Sequence, residues 1–213
     1  HGLRPVRMFL ERVAFRHAPS LFYLLPTDGA FVAAAWLGIG LALLAATGVS
    51  ERFGWWFSAL VWAGLWVLDL SFVNVGQIFY AFGWESLLLE TGFFAIFAGA
   101  RRTPPQSWLM WMLRWTLFRV MFGAGTIKLR GDPCWRQLTC LDYYFQTQPM
   151  PNPLSWYFHW LPPWIHHAGV LCNHFVELVV PFGYFAPQPV AAVAGVLTMI
   201  FQGTLWLSGI CPG

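Results

Sequence analysis

Long apolar runs separated by short polar stretches set the rhythm of this chain. Residues 30–49, "AFVAAAWLGIGLALLAATGV", hold no charge over the roughly 20 residues that a bilayer-crossing helix needs. Their Ala and Gly positions leave room for a neighbouring helix to approach closely. Residues 53–73, "FGWWFSALVWAGLWVLDLSFV", predict a second span with Asp69 inside it. A third run from Val75 to Gly99 carries Glu85 and Glu90, and a fourth from Ser107, "SWLMWMLRWTLFRVMFGAGTI", carries Arg114 and Arg119. The fifth, "GVLCNHFVELVVPFGYFA" from Gly169, carries His174 and Glu177, and the sixth starts at Pro189. The pattern predicts an all-α fold, a polytopic transmembrane helix bundle of about six spans.

Two segments fall outside that rhythm. Before the first run, Phe9, Leu10 and Val13 share one helical side opposite some of Arg4, Arg7, Arg12 and Arg16, which predicts an interfacial amphipathic segment within residues 1–29. Between the fourth and fifth runs, five prolines from Pro149 to Pro163 rule out a continuous helix. The many aromatics of "QTQPMPNPLSWYFHWLPPW" predict a compact, irregular segment at the membrane interface, where Trp and Tyr are favoured. The layout expected is one transmembrane domain, with four spans in 30–127, a loop in 128–168 and two spans in 169–210.

Composition agrees with a membrane setting: 58% of the 213 residues are hydrophobic and only 10% charged. A soluble domain of this size would need a charged surface that the chain lacks. The net charge of +3 is small and scattered, which argues against nucleic acid as a partner. No nucleophile elbow, phosphate loop or dinucleotide fingerprint licenses an enzyme, and no cofactor is expected. The chain starts at His1 and has no signal-peptide pattern, so it reads as a fragment or a processed product.

Charges inside apolar runs persist when they are paired or wet. The third run supplies acids and the fourth bases, so Glu85 or Glu90 is expected to pair with Arg114 or Arg119, either to join two helices or to line a polar cavity. Asn173, His174 and Glu177 lie within one helical turn and are expected to form a hydrogen-bonded cluster. His159, His166 and His167 lie just upstream, but no compact ligand motif accompanies them and no metal is expected. Lys128 closes the fourth run. It reads either as a lysine snorkelling to the headgroups or as a partly buried amine able to act as base or anchor, with Gly123 and Gly125 permitting close packing beside it. Cys134 and Cys140 share a polar loop, where spacing alone leaves a disulfide open; Cys172 and Cys211 sit in apolar surroundings.

The blocks "GWESLLLETGF", "RWTLFRVMFGAGTIKLRGDPCWRQLTCLDYYFQTQPMPNPLSWYFHWLP" and "NHFVELVVPF" together resemble the lipase maturation factor family. That resemblance implies a membrane folding or assembly factor for secreted lipases or other secreted clients, not a hydrolase. It also makes Arg130, Asp132, Cys134, Trp135, Cys140, Asp142, Gln148, Pro149, Pro151, Asn152 and Pro153 a functional loop, with Glu85, Glu90, Arg114, Arg119, Asn173, His174 and Glu177 as an intramembrane polar set. "HGLRP" resembles the stretch that follows the family's first membrane helix, and the chain stops at "LSGICPG", ahead of the family's soluble domain. A shorter resemblance, "FGAGTIKLRGDPCW", is similar to the membrane domain of vitamin K-dependent carboxylases. It implies the alternative of a membrane enzyme using Lys128 as base in a cavity lined by Glu85, Glu90, Arg119, His174 and Glu177.

Orientation is divided by the sequence. Arg101 and Arg102 place a cytoplasmic loop after the third run, whereas the arginines of the first segment argue against it if every run crosses once. A re-entrant third segment would reconcile them. The family resemblance places the large loop outside the cytoplasm, in the endoplasmic reticulum membrane for an animal protein or the plasma membrane for a bacterial one.

Overall fold

A computed structural model of the chain describes residues 4–99, 104–148 and 152–209. Pro149, Pro151, Cys211, Arg101 and Arg102 lie outside the described residues. The described residues are helical or irregular, with no strand among them. The chain divides into two compact units, residues 1–113 and 114–213.

The first unit holds α1 (Val6–Arg12), α2 (Asp28–Ala46), the short α3 (Val49–Arg52), α4 (Trp55–Val75) and α5 (Gly83–Ile96). Thr27 caps α2 by accepting a bond from Ala30 N–H at 3.3 Å. Small residues let α2 and α4 meet closely: a Cβ on Gly64 would lie 3.1 Å from Leu41. Asp69 faces the groove between them, alongside Ala34, Ala35, Gly38 and Ala42. α5 is tied to α4 by the Trp66 indole, which donates to the Leu89 carbonyl at 2.9 Å.

The apolar side of α1 faces protein. Leu10 is buried with Phe22 and Val75, and Val6 and Phe9 pack against the same cluster. Just past α4, Gln77 holds the start of α1 in place, its side chain bonding the Arg4 backbone in both directions at 3.2 and 2.8 Å. Arg4, Arg7, Arg12 and Arg16 are exposed.

The second unit contains most of α6 (Ser107–Arg130), then α7 (Pro133–Arg136), α8 (Leu141–Tyr144), α9 (Ser155–His159), α10 (Pro163–His174) and α11 (Val190–Ser208). Beyond α10 the helix continues as a π-helical turn, Phe175–Val179, and a 3₁₀ segment, Val180–Phe185. Pro181 explains the change of winding, because it offers no N–H to the carbonyl four residues before it. Met121, Val176, Val180, Tyr184, Ala194 and Phe201 form the core of this unit.

Four helices among the described residues are long and apolar enough to cross a membrane: Asp28–Ala46, Trp55–Val75, Pro163–Phe185 and Val190–Ser208. These helices make the chain an integral membrane protein, and the first, second, fifth and sixth of the six expected spans fall on them. The third expected span contributes only the 14 residues of α5, about 21 Å of helix against a hydrocarbon core of about 30 Å. α6 is long enough at 24 residues, but Arg114, Arg119, Lys128 and Arg130 lower its hydropathy.

Candidate functional site

The second unit gathers charge around the end of α6. Lys128 Nζ donates to Glu177 Oε1 at 2.5 Å and to Asn173 Oδ1 at 3.0 Å. Asn173 Nδ2 in turn donates to the other Glu177 oxygen at 2.9 Å, closing a three-membered network. Glu177 is only 3% exposed and Asn173 only 6%, so the carboxylate is held in a dry setting where its partners decide its cost. The Lys128 ammonium also lies over the Trp135 ring, 5.0 Å from its centroid, a cation–π contact.

Two local features make this approach feasible. A Cβ on Gly125 would fall 3.0 Å from the Glu177 Cβ and 2.7 Å from Leu178, so only glycine lets α6 come this near. The π-turn sets Glu177 beneath Asn173, and His174 takes a separate direction. His174 Nε2 donates to the Trp135 carbonyl at 2.9 Å, the role that an acceptor-only partner dictates. The expected cluster therefore forms with a division: Asn173 and Glu177 hold Lys128, and His174 holds the loop.

That loop is built around a disulfide between Cys134 and Cys140, whose Cα atoms lie 4.8 Å apart. Asp132 caps α7 by accepting from Cys134 N–H at 2.9 Å, with Pro133 at the first helical position. Both cysteines are buried against Val170 of α10, with Trp135, Leu138 and Leu141 around them. Asp142 accepts from His166 Nδ1 at 3.0 Å, and His166 Nε2 donates to the Phe158 carbonyl at 2.9 Å. Sequence reasoning named Asp142 but gave it no partner. Arg130 and Pro153 are exposed and Gln148 is half-buried.

Asn152 is an architectural residue. Its Nδ2 donates to the Trp206 and Leu207 carbonyls at 3.2 and 3.0 Å, and its Oδ1 accepts from Leu154 and Ser155 N–H at 2.8 and 3.0 Å. Ser155 Oγ donates to the Ser208 carbonyl at 2.6 Å. Together they cap the last turn of α11, which ends at Gly209 in the left-handed region (φ 76°). Asn152→Ala is expected to lower stability by about 1–2 kcal/mol, since it removes the side-chain donor to the Leu207 carbonyl and one of the two donors to the Trp206 carbonyl. A thermal unfolding midpoint indistinguishable from wild type would contradict that role.

Glu85 and Glu90 are half-buried on α5 in the first unit; Arg114 and Arg119 belong to the part of α6 in the second. No group of three or more His, Cys, Asp or Glu suited to a metal ion occurs among the described residues.

The geometry can be set beside known proteins. The family model for the lipase maturation factor transmembrane domain matches residues 1–211. The chain belongs to the lipase maturation factor family. It is similar to lipase maturation factor 1 of Bos taurus, with 43% identity over 98% of this chain, and of Homo sapiens, with 40% over 98%. Lipase maturation factor 2 of Xenopus laevis is 44% identical over 61% of this chain. The chain spans about 40% of the length of the factor 1 relatives and 20% of that factor 2 relative. No solved structure matches it.

Proposed function

We propose that this chain is the membrane-embedded portion of a maturation factor that assists folding or assembly of secreted lipases or other secreted clients. The carrying observation is the junction of loop and bundle. The disulfide-bonded loop is fixed to α10 by Trp135, Cys134 and Cys140, and the same Trp135 covers the Lys128–Glu177 pair. A client-facing loop held in one shape by a bilayer-anchored helix meets a folding intermediate without ordering itself first.

Family membership supports a lipase client, because the relatives are named for lipase maturation. A disulfide in the loop supports an oxidising compartment, the endoplasmic reticulum lumen in an animal or the outer side of the plasma membrane in a bacterium. The polar network supports a positioning role: Lys128 is tied to Glu177 and Asn173 at the point where the loop meets the bundle.

The test is the specific activity of a secreted lipase made in cells depleted of their own maturation factor. Supplying this chain is expected to raise activity per lipase molecule, and Trp135→Ala to reduce that gain while lipase synthesis stays constant. No gain from the wild-type chain, or a full gain with Trp135→Ala, would overturn the proposal.

A further inference from the structure

We infer that α9 and the start of α10 form an aromatic foot lying in the headgroup layer of the bilayer, its partner being lipid. The placement follows from the second unit alone. α11 runs antiparallel to the 163–185 helix: Phe201 packs with Val176 and Val180, and Tyr184 bonds Thr198 at 2.5 Å nearer the other end. The start of α10 and the end of α11 therefore share one side of the membrane. Asn152 and Ser155 fasten α9 to the last carbonyls of α11, at that same level.

α9 has two unlike faces. Ser155 and Phe158 point inward, Ser155 to Ser208 and Phe158 onto Phe145 with ring centres 5.8 Å apart. Trp156, Tyr157 and Trp160 point outward and are 64%, 69% and 67% exposed, and Trp164 beside them is 69% exposed. This patch is continuous with the lipid-facing surface of α11, where Trp206 is 79% exposed and its carbonyl accepts from Asn152.

The ring donors identify the depth. None of the Trp156, Trp160 and Trp164 indole N–H groups or the Tyr157 hydroxyl has a protein partner among the described residues. In hydrocarbon such donors would be left unsatisfied, and in water the rings would be a large exposed apolar patch. At the headgroup level the rings meet acyl chains while the donors meet phosphate and ester oxygens. The segment at the centre of the family resemblance is thereby assigned to lipid, leaving the disulfide loop as the client-facing part.

The experiment places a single environment-sensitive fluorophore at Trp160→Cys in the full chain, with Cys172 and Cys211 changed to serine and the Cys134–Cys140 disulfide kept oxidised. In phosphatidylcholine vesicles, quenchers sit near the headgroup, near the acyl-chain end, or in water as iodide. The expected loss of fluorescence is greatest with the headgroup-proximal quencher. A label at Met199→Cys, mid-helix on α11 and 68% exposed, should respond most to the chain-end quencher and reports correct insertion. With that control satisfied, dominant iodide quenching, dominant chain-end quenching, or shielding from all three would each overturn the inference. Trp164→Cys serves as the second site and is expected to behave as Trp160→Cys does.

Discussion

Lys128→Met is expected to destabilise the chain by about 3–5 kcal/mol, because it strands the Glu177 carboxylate in a site that is 3% exposed. The loss is chiefly the penalty of an uncompensated buried charge. Lys128→Met combined with Glu177→Gln should therefore recover most of it: glutamine keeps an oxygen for the Asn173 amide and carries no charge. Thermal unfolding in detergent of the two single variants and the double variant closes the cycle. A coupling energy near zero would mean that the 2.5 Å ion pair contributes nothing, and the network would lose its standing as the anchor of the loop. Lys128→Arg separates the readings of this residue further. It keeps the charge and should retain client maturation, whereas a base at this position would be lost, since arginine is not deprotonated in proteins.

The legibility of this site in the sequence was uneven, and the reasons are physical. Runs without charge, such as residues 30–49, report their state directly because the bilayer admits little else, and the chain is helical over Asp28–Ala46. The third and fourth runs are not among the four long apolar helices. Apolar content survives in a helix too short to cross, so "GWESLLLETGFFAI" reads as a span although its helix has 14 residues. For α1, periodicity predicts an amphipathic segment with its apolar side on the membrane interface, whereas in the structure that side packs on Phe22, Val75 and their neighbours.

At the site itself, the spacing predicts one cluster of Asn173, His174 and Glu177, and the structure bonds Asn173 to Glu177 but sends His174 to the Trp135 carbonyl. The partner could not be read, since Lys128 lies 45 residues from Asn173 and 49 from Glu177. Pro181 is the sequence signal for the change of helix winding near Glu177. The disulfide was similarly undetermined: a separation of six residues permits it, and only the fold sets the Cα atoms 4.8 Å apart.

Gly123 and Gly125 stand two residues apart on α6, and substitution should move stability in opposite directions. Gly125→Ala adds a Cβ 2.7 Å from Leu178 Cδ2 and 3.0 Å from Glu177 Cβ. Leu178 is half-buried and can rotate, but Glu177 Cβ moves only with its backbone, which carries the carboxylate that holds Lys128. Overpacking of this kind costs about 1–3 kcal/mol, and Gly125→Val, with two more methyl groups in the same gap, belongs at the upper end. At Gly123 no atom lies within 4 Å of the added Cβ. There the change to alanine should stabilise by about 0.5–1 kcal/mol, the helix-propensity difference acting alone. Unfolding midpoints of Gly123→Ala, Gly125→Ala and Gly125→Val, read beside lipase activity, test the consequence. If Gly125 exists to let α6 reach the π-turn, its variants lose maturation activity in step with the Lys128–Glu177 pair and Gly123→Ala does not. Equal tolerance at both glycines would show that the close approach of α6 to Glu177 has no part in holding the site.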